Sequence, residues 1–380
     1  MQKRDPRFME ITVKELNSLE NDTYRLIDIR EEDEVERGGI PGAEAIRQKA
    51  LLVDPPVCED KKLIIYCGNG KASMRVAASL EEKGCSTYYL KGGFVEWLLE
   101  GMKARSADEV STEAIESLHT SYKETILDKF EEAIEKYELI KPGDSVAVCI
   151  SGGKDSMLMS KLFQDYKEKA KIDFDVKYIV MDPGYSAENR RVLEENAKKL
   201  KIPVEIFETD IFDSVFTIEK SPCYLCARMR RGYLYNYARD LGCNKIALGH
   251  HFDDVIETIL MSMLYGGQVQ TMMPKLKSTN HEGMELIRPL YLVREEDIKA
   301  WRDSNKLYFL QCACKFTEAC AECGEEESIS KRIETKRLIA ALKKEFPEVE
   351  ENIFRSAENV DLDRVIAYKM KGVQHTKIVG

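Results

Sequence analysis

The stretch that most limits what this chain can fold into is Ser145-Val-Ala-Val-Cys-Ile-Ser-Gly-Gly-Lys-Asp-Ser156. Val146, Val148 and Ile150 belong to a run of small and β-branched residues that reads as a buried strand. The run stops at Ser151-Gly152-Gly153-Lys154-Asp155-Ser156, and Met157 to Phe163 begins helical spacing. A strand, a Gly-Gly turn and a helix start make an anion site. Glycines let the backbone approach oxygens, free N–H groups and the helix dipole favour negative charge, and Lys154 adds a point charge. The G-x-x-x-x-G-K-S/T loop of kinases and GTPases is absent, so this cradle is of another kind.

Further strands follow at Asp175–Asp182, Val204–Phe207 and Lys245–Leu248, with a charged helix over 188–200 between the first two. That β-α-β alternation predicts an α/β fold with a doubly wound parallel sheet, whose function lies at the carboxyl ends of the strands. Asp182, at such an end beside Pro183-Gly184, suits nucleotide recognition or a turn cap. Gly249-His-His-Phe-Asp-Asp254 leaves the last strand the same way, so His250, Asp253 and Asp254 are expected over the site made by the Ser151 loop. In isolation this segment reads as a divalent-metal site or a capped helix start.

Ser-Gly-Gly-Lys-Asp-Ser resembles the PP-loop of the ATP pyrophosphatase superfamily. The resemblance implies cleavage of ATP to AMP and pyrophosphate while a carbonyl-type oxygen is activated. It places Ser151, Gly152, Gly153, Lys154, Asp155, Ser156, Asp182 and His250 around ATP, Lys154 and Asp155 in catalytic roles, and Mg2+ near Asp155 and Asp254.

Residues 8–105 read as a separate small α/β unit. Leu63-Ile-Ile-Tyr66 runs straight into Cys67-Gly-Asn-Gly-Lys-Ala-Ser73 and then an amphipathic helix. A loop of N–H donors at a helix N-terminus stabilises a thiolate, which makes Cys67 a candidate nucleophile. A phosphatase loop would need arginine where Ser73 stands. Asp28-Ile-Arg30, Gly39-Ile-Pro-Gly-Ala43, the Cys67 loop and Lys91-Gly-Gly-Phe-Val-Glu-Trp97 resemble a rhodanese domain in the same order. Gly39 and Ala72 stand where that family often has His and Arg. The resemblance implies that Cys67 carries a persulfide sulfur. The polar residues 106–120 are expected to form a linker, 121–364 a second domain with a helical C-terminal part, and 365–380 a basic tail.

Eleven cysteines in 380 residues, in a reducing cytosol, point to thiol chemistry or metal binding and away from disulfides. Met1 to Phe8 lack an apolar export segment and no apolar run approaches the roughly 18 residues that span a bilayer, so the cytoplasm is expected and no membrane partner. A net charge of −10 argues against a uniformly basic nucleic-acid binder but leaves room for local basic faces. Arg228, Arg230, Arg231, Lys275, Lys277, Lys331, Arg332, Lys336 and Arg337 are candidates for phosphate contacts. Cys149 and Cys243 read as core residues.

Ser221-Pro-Cys223-Tyr-Leu-Cys226 leads into the arginine-bearing helix, and Cys312, Cys314, Cys320 and Cys323 follow much later. The gap is too long for a zinc ribbon. Zinc across the fold and an iron–sulfur cluster both remain open from the residues alone.

From about 121 to 364 the chain resembles the TtcA-type tRNA 2-thiocytidine synthetases. It shares S-G-G-K-D-S, the C-x-x-C helix with R-M-R-R-G-Y-L-Y, A-L-G-H-H-F-D-D, I-R-P-L, V-R-E-E-D-I and F-P-E-V-E-E-N-I-F-R-S-A-E-N-V. The resemblance implies a 4Fe-4S cluster held by three cysteines. These are taken to be Cys223, Cys226 and, among Cys312, Cys314 and Cys323, Cys314. It also implies a tRNA substrate and a homodimer. The expected activity is adenylation of a cytidine C2 oxygen in the anticodon loop and its replacement by sulfur, with Cys67 relaying sulfane sulfur from a cysteine desulfurase or thiosulfate. The alternatives are a PP-loop ligase that delivers ammonia and a non-catalytic sulfur-trafficking or redox module.

Overall fold

In the computed structural model, residues 9–35, 38–54, 61–83, 85–170, 172–209, 211, 222–309, 331–370 and 372–376 are described, apart from the side chains of Asp33 and 222–228. The first domain holds strands β1 (Glu10–Ile11), β2 (Tyr24–Asp28), β3 (Glu44–Ala45), β4 (Lys62–Tyr66) and β5 (Thr87–Leu90). They form a parallel sheet in the order β1-β5-β4-β2-β3. Alternation along β4 sorts its side chains onto two faces. Leu63, Ile65 and Cys67 join one buried cluster with Leu51 of helix α1 (Gln48–Val53) and Val76 and Leu80 of α2 (Lys71–Glu82). Ile64 and Tyr66 join the other with Phe94 of α3 (Gly93–Lys103).

The residues expected as a linker are helix α4 (Ala107–His119), capped by the Ser106 hydroxyl on the Glu109 N–H. Val110, Ala114 and Leu118 recur at helical spacing and are buried in the core of the second domain, so this segment is a wall of that domain and not a free tether. A short π turn (Lys123–Leu127) and helix α5 (Asp128–Lys136) follow, with Ile126, Phe130 and Ile134 buried as their spacing requires.

The second sheet comprises β6 (Ser145–Ile150), β7 (Asp175–Asp182), β8 (Val204–Glu208), β9 (Lys245–Ala247), β10 (Lys275–Lys277) and β11 (Glu285–Ile287). Its order is β10-β11-β9-β6-β7-β8, parallel except for β10. Val146, Val148 and Ile150 face helices α6 (Lys154–Lys169) and α7 (Ala187–Lys199); Ala147 and Cys149 face α8 (Pro222–Asp240). Burial pushes the Cys149 thiol up and, less strongly, that of Cys243, as core residues.

The chain runs from β6 outward to β7 and β8, then returns to β9 on the other side of β6. The order therefore reverses between β6 and β9, and a crevice opens at their carboxyl ends, the place where such sheets bind ligands. Helices α9 (Phe252–Leu264), α10 (Glu295–Ser304), α11 (Lys331–Glu345) and α12 (Val349–Glu358) close one side, and a hairpin of β12 (Ala367–Met370) and β13 (Val373–Thr376) ends the described chain. Among the described residues no helix is long and apolar enough to cross a membrane.

Candidate active site

The two segments that leave β6 and β9 meet at that crevice. Gly249 approaches the Ser151 loop so closely that a Cβ there would lie 3.2 Å from the Asp155 carbonyl carbon and the Ser156 nitrogen. Glycine at this position lets the second segment pack on the start of α6. Within the loop, Ser151 N–H donates to the Ser156 hydroxyl (3.2 Å), which donates to the Gly153 carbonyl (3.0 Å). This closes the turn around Gly152 and Gly153 and leaves the first N–H groups of α6 facing outward.

Lys154 Nζ lies 3.1 Å from Asp155 Oδ1 and 3.2 Å from Glu295 Oε1. Asp253 brings Glu295 there, because its carboxylate accepts the Glu295 N–H (2.7 Å) and pairs with Arg294 (3.2 Å). Asp253 thus latches α10 to α9 instead of pointing into the crevice. Burial works against ionising Glu295, yet Lys154, Lys336 and Lys299 outweigh it and hold the carboxyl well below the usual range.

Asp254 stands in the crevice. It accepts the His251 N–H (3.1 Å) and lies 3.4 Å from Arg332 of α11. Burial raises its pKa, but His251, Arg332 and His250 lower it further, so it stays ionised. His250 is half-buried near Arg288, and burial first, then that guanidinium, push its pKa down to about 4. It is a neutral imidazole at neutral pH, and its Nδ1 is buried without a hydrogen bond.

The sequence reasoning missed three residues here. His251, not His250, bridges the two segments, with Nε2 3.8 Å from Asp155 and 3.5 Å from Asp254. Glu295 arrives from a distant helix. Arg288, at the end of β11, is buried with its Nε unpaired, and burial lowers its pKa to about 10. Of these, only His251 carried a local signal, the doubled histidine.

Asp182 caps the turn after β7. Its carboxylate accepts the Gly184 and Tyr185 N–H groups (2.8 and 2.7 Å) and pairs with Arg190 (2.7 Å). Burial opposes ionisation, but these donors keep its pKa low. The turn-cap reading of Asp182 is therefore the one its geometry supports. Arg332 and Lys336 are exposed and pair with Asp254, Glu257 and Glu295.

The second reactive group is Cys67, buried at the carboxyl end of β4 over the first turn of α2. Its Sγ accepts the Ser73 N–H (3.3 Å) and lies 3.5 Å from the Ser73 hydroxyl. A Cβ on Gly93 would lie 2.3 Å from the Cys67 carbonyl, so glycine is required where α3 passes beneath the loop. Arg30 and Asp28 form a buried pair (2.7 Å) behind it, joined by the Tyr66 hydroxyl.

Cys223 and Cys226 fall in the opening turns of α8, but their side chains, like all of Cys314, Cys312, Cys320 and Cys323, lie outside the described residues. Among the described residues, no group of three or more His, Cys, Asp or Glu is arranged to hold a metal ion by itself.

Both domains resemble known proteins. A PP-loop domain model matches residues 122–314, and a rhodanese-like domain model matches 12–100. A Paraburkholderia phytofirmans protein named tRNA-cytidine(32) 2-sulfurtransferase is 37% identical over 242 residues, covering 63% of this chain and 69% of that protein. Its namesake from Anaeromyxobacter dehalogenans is 36% identical over 232 residues, 60% of this chain and 77% of that protein. Among solved structures, the U34-tRNA thiolase NcsA from Methanococcus maripaludis with its 4Fe-4S cluster matches at 20% identity and a TM-score of 0.48, over 61% of this chain and 76% of that one. With its PP-loop domain matched over more than half its length and these relatives covered over more than two thirds of theirs, the chain belongs to the PP-loop family of tRNA-cytidine(32) 2-sulfurtransferases.

Proposed function

We propose that this tRNA sulfurtransferase adenylates the C2 oxygen of an anticodon-loop cytidine and exchanges it for sulfur that enters through Cys67. The observation that carries the reading is the meeting of the Ser151 loop, with Lys154 and Asp155, and the Gly249 segment, with Asp254, at the β6–β9 switch point. The ammonia-delivering alternative gives no reason for a sulfur-carrier domain on the same chain.

The loop N–H groups and the α6 dipole hold the ATP phosphates, and Lys154 neutralises charge on them. The cytidine oxygen attacks the α-phosphorus, pyrophosphate leaves, and the adenylated oxygen becomes AMP, a far better leaving group. The outer sulfur of a cysteine persulfide then displaces AMP at C2, and a second thiolate cleaves the remaining S–S bond, leaving 2-thiocytidine and a disulfide that a thiol reductant returns to the thiols. A base in a stem cannot reach such a crevice, which is why a loop base is expected.

Asp155 Oδ1 is buried and faces the Lys154 ammonium at 3.1 Å, a position where a hard cation shared with phosphate oxygens would fit. We assign Mg2+ to Asp155 and Asp254, where it would supply charge neutralisation of the leaving pyrophosphate. Cys223, Cys226 and Cys314 are proposed as ligands of a 4Fe-4S cluster, since a thiolate-only donor set suits iron and sulfur. When bound, such a cluster supplies an open iron position for a sulfur ligand. Thiosulfate or a cysteine desulfurase would load Cys67, and a cytoplasmic homodimer is proposed for the whole enzyme.

The reaction can be tested with anaerobically reconstituted protein, ATP, thiosulfate, a thiol reductant and unmodified tRNA. AMP, pyrophosphate and 2-thiocytidine in equal amounts are expected. AMP formation that proceeds without any thiolated nucleoside, with ammonia consumed, would support the ligase alternative instead.

A further inference from the structure

The first domain is seated on the second through contacts that begin at the Cys67 loop. Phe94 donates its N–H to the Cys67 carbonyl (2.9 Å). The Arg30 guanidinium lies 3.8 Å from the Phe94 ring centroid, and the Tyr308 ring of the second domain meets Phe94 edge-on at 5.4 Å. Asn196 of α7 donates to the Tyr308 carbonyl (2.8 Å), which ties that residue to the helix. Within the first turn of α3, Glu96 pairs with Arg191 of α7 at 3.2 Å. The neighbouring Arg190 holds Asp182 at the carboxyl end of β7, so the Cys67 loop and the crevice share one edge of the molecule.

The far end of α3 is fixed as firmly. Leu99 is buried in the second domain's core, Arg105 donates to the Asn305 carbonyl (2.8 Å), and the Arg105 carbonyl accepts from Lys199. Only residues 104–106 separate α3 from α4, and α4 is itself part of the second domain. A joint with no slack, buttressed on both sides, does not swing. The effective concentration of such a carrier is set by docking geometry and not by tether length.

We infer that the Cys67 domain is a docked sulfur carrier, registered by the Phe94–Tyr308 and Glu96–Arg191 contacts, which passes its sulfur only to the second domain of the same chain. This rests on the reading of Cys67 as the sulfur carrier. In the loading step the Cys67 thiolate attacks the outer sulfur of thiosulfate, the S–S bond breaks, and sulfite leaves with the bonding pair. A thiolate of the second domain then attacks the outer sulfur of the Cys67 persulfide, and the Cys67 thiolate leaves with the pair. Neither exchange needs an external oxidant or reductant. Tyr308 and Arg191 are positioning residues in this account.

The test mixes full-length C67S with full-length K154A, each lacking one half of the reaction, with thiosulfate, a thiol reductant, ATP and unmodified tRNA. A docked carrier predicts a 2-thiocytidine rate at least ten-fold below that of wild type. A mixture approaching the wild-type rate would overturn the proposal, because sulfur would then move between chains. In a second arm, Y308A and R191E should keep thiosulfate-to-cyanide sulfur transfer while tRNA thiolation falls ten-fold or more, and E96R/R191E should restore it. Wild-type thiolation in both single variants would also overturn the proposal. Full thiosulfate-driven thiolation by C67S alone would instead refute the carrier reading beneath it, and the proposal with it.

Discussion

Lys154 and Glu295 face each other 3.2 Å apart across the mouth of the second sheet, although one opens α6 and the other opens α10. Lys336 reaches the same carboxylate at 2.5 Å. The carboxylate is kept ionised by its cations and in turn orients Lys154, the lysine proposed to meet phosphate. Glu295→Gln keeps the size and removes the charge. The kcat for AMP formation should fall on the order of 10- to 100-fold with the ATP KM little changed, since orientation is lost and binding surface is not. Steady-state kinetics decide it; an unaltered kcat would reduce Glu295 to a packing residue.

Asp28 and Arg30 are both almost fully buried in the first domain, and Arg30 also donates to the Gly38 carbonyl (2.7 Å). Asp28→Ala would leave the guanidinium without its counter-charge. Removing one partner of a buried pair costs about 3–5 kcal/mol. Urea denaturation followed by Trp97 fluorescence should show an early transition of that size, and a loss well under 1 kcal/mol would contradict the role assigned to the pair.

Lys161 is buried in α6, where it donates to the Ser111 hydroxyl, Gln164 Oε1 and the Leu200 carbonyl, each at 2.9 Å. Burial lowers its pKa from 10.5 to about 8. The folded state therefore binds this proton more weakly than the unfolded chain. The charged form weighs against the fold below about pH 8, and that penalty is relieved as the pH rises from about 8 to 10.5. Relative to Lys161→Met, the wild type should gain stability across that window with a slope of at most about 1.4 kcal/mol per pH unit. Thermal unfolding at several pH values measures the difference; a flat difference would place the Lys161 pKa outside the window.

The elements that build the site were legible wherever the signal was local. Val146, Val148 and Ile150 declare a buried strand by composition, and Gly152-Gly153-Lys154 declares the turn that ends it. The same holds for β4, Cys67 and the helix after it. Helix α4 was misread as a linker because Asp108, Glu109, Glu113 and Glu116 dominate its composition, while only Val110, Ala114 and Leu118 mark its buried stripe. Ser106 followed by Glu109 was the start signal that could have found it. Glu295 and Arg288 could not be placed from local pattern, since their meaning depends on which strand ends lie beside them. Asp182 reads from the sequence as a nucleotide-facing carboxylate or a turn cap, and the turn N–H groups and Arg190 supply the partners of a turn cap.

The exchange of oxygen for sulfur is tested most directly by mass spectrometry of anticodon-loop nucleosides from a strain lacking this gene. The account predicts that 2-thiocytidine disappears, returns with the wild-type chain, and fails to return with Lys154→Ala. With thiosulfate as the sulfur source, Cys67→Ala should fail as well. Unchanged 2-thiocytidine in the deletion strain would contradict the account.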